Sequence, residues 1–319
     1  MRAMVTARGA AQVVDITPPV PGPGEALLRI ISAGICNTDL EVVRGYHDFE
    51  GTLGHEFVAE VVSAPEAPAW AGQRVVGEIN VACGVCDFCR RGIPSQCRVR
   101  AAIGISGRDG AFAEYMALPL RNLHRVPEAV SDDAAVFVEP LAAAAQVLEM
   151  HAVRPSERVV VVGAGKLGLL CAAVLAHTGA DVVVVARRAR AREVLEQWHI
   201  PTSPAEALPA KQAAIVVDCT GNAEGFALAL ELVQPRGCIV LKSTYHGLPQ
   251  ADLTRIAVEE IRVVGSRCGP FPVALRLLET NAIDVSAMID ARYPLEEGVA
   301  ALDHAGRPGV LKVLLDVAR

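Results

Sequence analysis

The chain has 319 residues, of which 52% are hydrophobic, and a formal net charge of -6. That length accommodates two domains and a large core, and the acidic balance excludes the basic surface a nucleic-acid partner selects. No apolar run reaches the roughly eighteen residues of a membrane span. MRAMVTARGAAQVVDITPP at the start has no hydrophobic signal core. Nine cysteines in such a chain point to a reducing, cytoplasmic compartment where thiols serve metals.

The first hundred or so residues read as a small barrel-like β domain. Short apolar runs, ALLRIISAGI, EFVAEVVSA, QRVVGEINV and AFAEYMALP, are separated by Gly, Pro and charged residues. The segment CGVCDFCRRGIPSQC is expected to project from it as a long loop, with Arg90, Arg91, Arg98 and Arg100 along a solvated or subunit-facing edge. A helix is expected from Ser131, an N-cap followed by Asp132 and Asp133, through DDAAVFVEPLAAAAQVLEMHAV. Pro140 within it marks a kink or a junction between two helices. From Ser156 strands and helices alternate: RVVVVGAGKLG, LLCAAVLAHTG, DVVVVARR, AAIVVDCTG, EGFALALELV, GCIVLKST and IRVVGS. Continuous apolar strands joined by helices predict a doubly wound parallel sheet, an α/β class of fold. The stretch HIPTSPAEALPAKQ reads as a surface connection, and the C-terminal part holds a helix at VALRLLETN and a strand at VLKVLLDV.

Three motifs carry chemistry. Cys83, Cys86, Cys89 and Cys97 are spaced C-x2-C-x2-C-x7-C. Four thiolates so close in sequence can surround one tetrahedral Zn²⁺, whereas successive CxxC units suit structural disulfides poorly. Gly163, Gly165 and Gly168, with Lys166 and Leu167 between the last two, form G-x-G-x-x-G between an apolar strand and a helix. In that context the glycines make the turn, admit a pyrophosphate and allow tight helix packing, and the helix N-terminus offers N–H groups to phosphate. The third set is Cys36, His55, Glu56 and Glu139, drawn from GICNTD, GHE and FVEPLA. Thiolate, imidazole and carboxylate are competent zinc ligands, and three of them with an open fourth position would make the metal a Lewis acid.

From GICNTD through GHE, the cysteine lobe, GAFAEY, EPLA, GAGKLG and DCTG, the chain resembles the zinc-dependent medium-chain dehydrogenase/reductase superfamily of alcohol, polyol, sugar and threonine dehydrogenases. The resemblance implies a GroES-like, β-rich catalytic domain from residues 1–139 and 266–319, with the zinc lobe at 83–97. It also implies a Rossmann coenzyme domain at 140–265. It assigns Cys36, His55 and Glu139 to a catalytic zinc, with Glu56 as an alternative ligand or neighbour, and the four lobe cysteines to a structural zinc. Thr38 resembles the hydroxyl that hydrogen-bonds substrate and passes its proton outward; otherwise it caps the turn that follows. Glu139 stands where liver-type alcohol dehydrogenases have cysteine, as in the polyol and sugar branch. Glu41 occupies the place of a relay histidine, and the chain is short between Cys97 and Glu139.

The expected activity is interconversion of an alcohol (secondary alcohol, polyol or sugar) and a carbonyl by hydride transfer. The alternative is a non-catalytic nucleotide-binding or structural protein of the same fold. Tyr46 and His47, just before GHE, either border the substrate cleft or sit on a surface loop. NAD-selective sites place an acidic residue about 20 residues after the glycines. Here that place holds Ala186, followed by Arg187 and Arg188. NADP(H) is therefore favoured over NAD(H), with Thr220 of DCTG also at the cofactor. A homodimer or homotetramer is expected, with no membrane or nucleic-acid partner.

Overall fold

The computed structural model describes residues 1–245 and 249–317. The chain forms two compact units, Met1–Glu139 with Leu275–Arg319, and Pro140–Ala274.

The first unit is organised around the strand Glu25–Gly34, where buried and half-buried residues alternate until the last three are all buried. It pairs antiparallel with Glu56–Ser63, Tyr115–Pro119 and the C-terminal strand Lys312–Asp316. Arg74–Gly77 and Leu123–Arg125 extend the sheet on one side and Ile289–Pro294 on the other, giving seven strands among the described residues. Leu28, Ile30, Phe112 and Phe137 are fully buried in this core. Ile289–Pro294 and Lys312–Asp316 run parallel and are joined through the helix Gly298–Ala305. The end of the chain thus returns to the middle of the first sheet.

The expected helix from Ser131 is two helices, Asp132–Ala135 and Val138–Met150. Ser131 Oγ accepts the Ala134 N–H at 3.2 Å and caps the first. The break falls before Pro140, which occupies the first turn of the second helix. There its missing N–H leaves no intrahelical bond unmade.

The second unit contains a six-stranded sheet in which every pairing is parallel. Its order is Thr202–Ser203, Asp181–Val185, Arg158–Val162, Ala213–Asp218, Val233–Leu241, Arg262–Gly265. In chain order within the unit this is 3-2-1-4-5-6, the doubly wound dinucleotide-binding topology. The edge strand Thr202–Ser203 lies inside the stretch read from sequence as a surface connection; two residues of pairing leave no periodic signal. Register sets the site: Val162 lies opposite both Val185 and Asp218, and Asp218 opposite Leu241. The segments after these strands therefore leave the sheet along one edge.

Residues 266–274 group with this second unit, beyond the boundary at 265 that the resemblance implies. The buried Lys242 ammonium donates to Ala143 O at 2.6 Å, Arg267 O at 3.1 Å and Ser266 Oγ at 3.2 Å, tying that segment to the helix Val138–Met150. Among the described residues no helix is long and apolar enough to cross a membrane.

Candidate active site and metal centres

The antiparallel register of the first unit pairs Gly34 with Glu56. Cys36 follows one strand by two residues and His55 precedes the other by one, so a thiol and an imidazole that are distant in sequence meet at the same sheet end. Gly54 makes the turn into His55 at φ +96°, and a Cβ there would lie 2.3 Å from the Phe112 ring. Cys36 caps the helix Asn37–Val43, and its N–H donates to Asp39 Oδ2 at 2.8 Å. The other Asp39 oxygen stands 3.2 Å from His55 Nδ1. Cys36, His55 and Glu56 each offer a ligand atom, and these atoms all lie within 4.8 Å of one another. Thr38 Oγ1 is 3.7 Å from Cys36 Sγ. Glu139 stands half-buried in the first turn of the helix Val138–Met150 and is not part of this three-residue group.

The pocket is strongly anionic. Asp39, His55 and Glu56 are 0–2% exposed. Burial disfavours the His55 imidazolium, but Asp39 and Cys36 outweigh it and hold its pKa well above the ordinary value. Lys312, 2% exposed, pairs with Glu56 Oε2, and its ammonium lies 5.4 Å from the centre of the Phe137 ring. Burial again opposes the charge, and Glu56, Cys36 and Asp39 together raise the Lys312 pKa. With Cys36 as thiolate and His55 as the neutral imidazole that metal ligation requires, the anions Cys36, Asp39 and Glu56 face one ammonium and two negative charges remain. A divalent cation would neutralise them, so the donor set fits zinc in both chemistry and charge.

The four cysteines of the lobe also converge. Cys86 Sγ lies 3.5 Å from Cys89 Sγ and 3.9 Å from Cys97 Sγ, and Cys83 Sγ lies 4.0 Å from Cys89 Sγ. Sulfurs about 2.3 Å from a tetrahedral zinc stand about 3.8 Å apart, whereas a disulfide would bring a pair to about 2.05 Å. The N–H groups of Val85 and Cys86 point at Cys83 Sγ, at 3.4 and 3.3 Å. Backbone N–H groups of Arg98 and Cys89 lower the Cys86 thiol to about 6, while burial and neighbouring sulfurs push Cys89 up to about 12. The cluster resists four thiolates unless a cation joins them.

In the second unit, Gly163 follows Val162 at φ +96°, and a Cβ on it would meet Thr220 Cγ2 at 2.9 Å. A Cβ on Gly168 would lie 1.9 Å from Gly163 O, so helix and strand touch there. Gly165 faces open space, with no atom within 4 Å of a Cβ built on it. It caps the helix Lys166–Ala176, in whose first turn Lys166 and Leu167 stand. This is the arrangement a dinucleotide pyrophosphate requires: two glycines for packing and one for access. Along the same edge, Ala186 is buried and Arg187 and Arg188 are exposed. Arg192 Nη1 donates to Arg187 O at 2.8 Å and braces that turn from behind. Thr220 Oγ1 donates to the buried Asp218 at 2.7 Å, and Tyr245 OH donates to the other oxygen of the same carboxylate.

Sequence reasoning missed Asp39, Asp218 and Lys312. Asp39 had a local signal, three residues after Cys36 at capping-box spacing. Lys312 had only the oddity of a lysine inside VLKVLLD.

Residues 22–128 match the family described as Alcohol dehydrogenase GroES-like domain, and residues 167–280 the family described as Zinc-binding dehydrogenase. The chain belongs to the zinc-dependent medium-chain dehydrogenase/reductase superfamily, and is an oxidoreductase acting on alcohols with NAD(P). L-galactonate-5-dehydrogenase of Escherichia coli K12 is 32% identical to it over 295 residues, covering 86% of each chain. L-threonine 3-dehydrogenase of Streptomyces avermitilis is 34% identical over 334 residues, covering 95% of each. Two solved structures have TM-scores of 0.92 over 99% of both chains. One is a zinc-binding dehydrogenase from Sinorhizobium meliloti 1021 bound to NADP, 29% identical. The other is an alcohol dehydrogenase from E. coli CFT073 complexed with NADH, 26% identical.

Proposed function

We propose that Cys36, His55 and a carboxylate, Glu56 or Glu139, hold a catalytic zinc, while Cys83, Cys86, Cys89 and Cys97 hold a structural one. The observation that carries this reading is the convergence of Cys36, His55 and Glu56 ligand atoms within 4.8 Å in a buried anionic pocket. Bound there, zinc supplies Lewis acidity to the substrate oxygen, and the nicotinamide cofactor exchanges the hydride. The protein's own groups do the rest. Asp39 fixes the His55 ring through Nδ1, leaving Nε2 as ligand. Thr38 accepts the proton of the substrate hydroxyl and passes it outward.

The cofactor in this reading is NADP(H) before NAD(H). Gly163, Gly165, Lys166, Leu167 and Gly168 receive the pyrophosphate, and Thr220, packed against Gly163, also serves the cofactor. Arg187 and Arg188 take the 2′-phosphate in charge-assisted bonds that Ala186 does not oppose. The substrate is a secondary alcohol, polyol or sugar; the names of the curated relatives place oxidation at carbon 5 of galactonate and carbon 3 of threonine. The enzyme works in the cytoplasm as a homodimer or homotetramer. Support for assembly comes from the edge strand Arg262–Gly265, which presents exposed Val263 (38%), and from the preceding helix Leu253–Val258, whose Leu253 and Val258 are also exposed.

The test is reduction of each nicotinamide cofactor across a panel of polyols, sugars, hydroxy acids and secondary alcohols, with parent and His55→Ala enzyme. Loss of the metal's electrostatic contribution, several kcal/mol, is expected to lower kcat about 1,000-fold or more with the fold intact. An active His55→Ala enzyme overturns the assignment.

A further inference from the structure

The buried lysine at the catalytic cluster has no role in the chemistry above. Lys312 stands at the start of the strand Lys312–Asp316, the last strand of the chain, and reaches Glu56 across 256 residues of sequence. Both side chains are almost wholly buried, at 2% and 1% exposure. They are also packed without slack: a Cβ on Gly34 would lie 2.9 Å from Glu56 Oε2 and 3.3 Å from Lys312 Cδ. Only one carboxylate oxygen, Oε2, is engaged by the ammonium, while Glu56 also belongs to the group with Cys36 and His55. The same carboxylate therefore has two cations competing for it, a fixed ammonium on one side and the metal on the other.

We propose that Lys312 is a positioning residue that holds Glu56 in reserve beside the catalytic metal, keeping one coordination position open for substrate. This rests on the placement of that metal at Cys36 and His55, with Glu139 as its carboxylate ligand and Glu56 within reach of it. The ion pair draws the Glu56 charge away from the donor set, so the metal retains a vacancy. Without the ammonium, the metal is the only cation left to Glu56, and the carboxylate closes the vacancy. The same substitution makes the pocket more anionic, which by itself strengthens metal retention. The two effects separate only in a background without the Glu56 carboxylate.

The experiment uses the full-length protein loaded with Co²⁺, whose visible d–d bands report the ligand set. The cysteine lobe contributes equally to every variant and cancels in difference spectra. Parent, Lys312→Met, Glu56→Gln and the double variant are compared in band position, in the rate of metal loss to a chelator, and in kcat. Lys312→Met is expected to shift the bands, to slow metal loss about tenfold, the magnitude by which neighbours of metal ligands alter affinity but here with the opposite sign, and to lower kcat more than KM. In the Glu56→Gln background, Lys312→Met is expected to leave the bands and kcat unchanged. Equal effects in both backgrounds, or unshifted bands in the single variant, overturn the proposal. Should Lys312→Met not accumulate as folded protein, Lys312→Gln, neutral but still able to donate to Glu56, is read by the same criteria. Lys312→Arg keeps the charge and is expected to restore the parent bands. The underlying metal assignment is tested separately: a Cys36→Ser protein that loses no metal relative to the parent sinks that assignment rather than the role of Lys312.

Discussion

A carboxylate at the end of the second Rossmann strand would repel a 2′-phosphate. In this chain that place is Ala186, 8% exposed, with exposed Arg187 and Arg188 beyond it. Arg192, drawn from the same basic run, is spent on the carbonyl of Arg187, and Arg190 lies 3.8 Å from Glu193. The run thus divides into arginines that brace the turn and arginines that face solvent from its edge. The expected consequence is a preference for NADP(H) that depends on the second pair. Charge-assisted bonds contribute about 1.5–3 kcal/mol each. The double change Arg187→Ala with Arg188→Ala removes both and should therefore lower kcat/KM for NADP about 100-fold to 10,000-fold, with little change for NAD. A parent enzyme that prefers NAD, or a selectivity indifferent to the double change, rules the assignment out.

At the scale of an element, the cysteine lobe is a loop with almost no interior. Between Cys83 and Cys97 only Cys97 is buried, and Val85 is 66% exposed. Its ordering contacts are polar: Arg98 forms two bonds to Asp87, at 2.7 and 2.8 Å, and lies over the Phe88 ring at 4.9 Å. Exposed pairs of this kind are screened by water and salt and cannot fix a fifteen-residue excursion of about 1–2 kcal/mol backbone entropy per residue. In the proposed reading, a metal bound only by the folded lobe supplies the difference. Cys89→Ser is expected to reduce zinc from two to one per chain, lower the midpoint of thermal unfolding by several degrees and open the lobe to protease. A variant that keeps two zincs and the parent's protease resistance would mean that the lobe orders itself without metal.

For the whole molecule, the second unit ends its sheet on Arg262–Gly265, which pairs on one side with Val233–Leu241 and has no second neighbour among the described residues. A free edge with exposed valine is a template for another strand, and a second copy of the same chain is the partner always present at matching concentration. Sedimentation is expected to give a multiple of the 33.6 kDa chain mass, and Val263→Lys to shift it towards the monomer by placing like charges across the pairing. A monomeric parent, or an assembly unmoved by the lysine, removes this edge from the interface.

What the sequence determined by itself was local. The lobe cysteines, the glycine fingerprint and GHE each place their ligands through a few intervening bonds, so spacing alone dictates what they can hold. The alternation of apolar strands with helices likewise announced the parallel sheet before its order was known. Tertiary structure decided what depends on pairing between distant segments. The register of Glu25–Gly34 with Glu56–Ser63 brings Cys36 to His55. Insertion of the C-terminal strand beside Glu25–Gly34 delivers Lys312 to Glu56. The set that converges contains Glu56, although the resemblance ranked Glu139 first: Glu56 opens a strand paired with Glu25–Gly34, whereas Glu139 stands in the first turn of a helix. A lysine in an apolar strand has no meaning along the chain. It acquires one only where long-range pairing buries it against a single carboxylate in a place that water cannot screen.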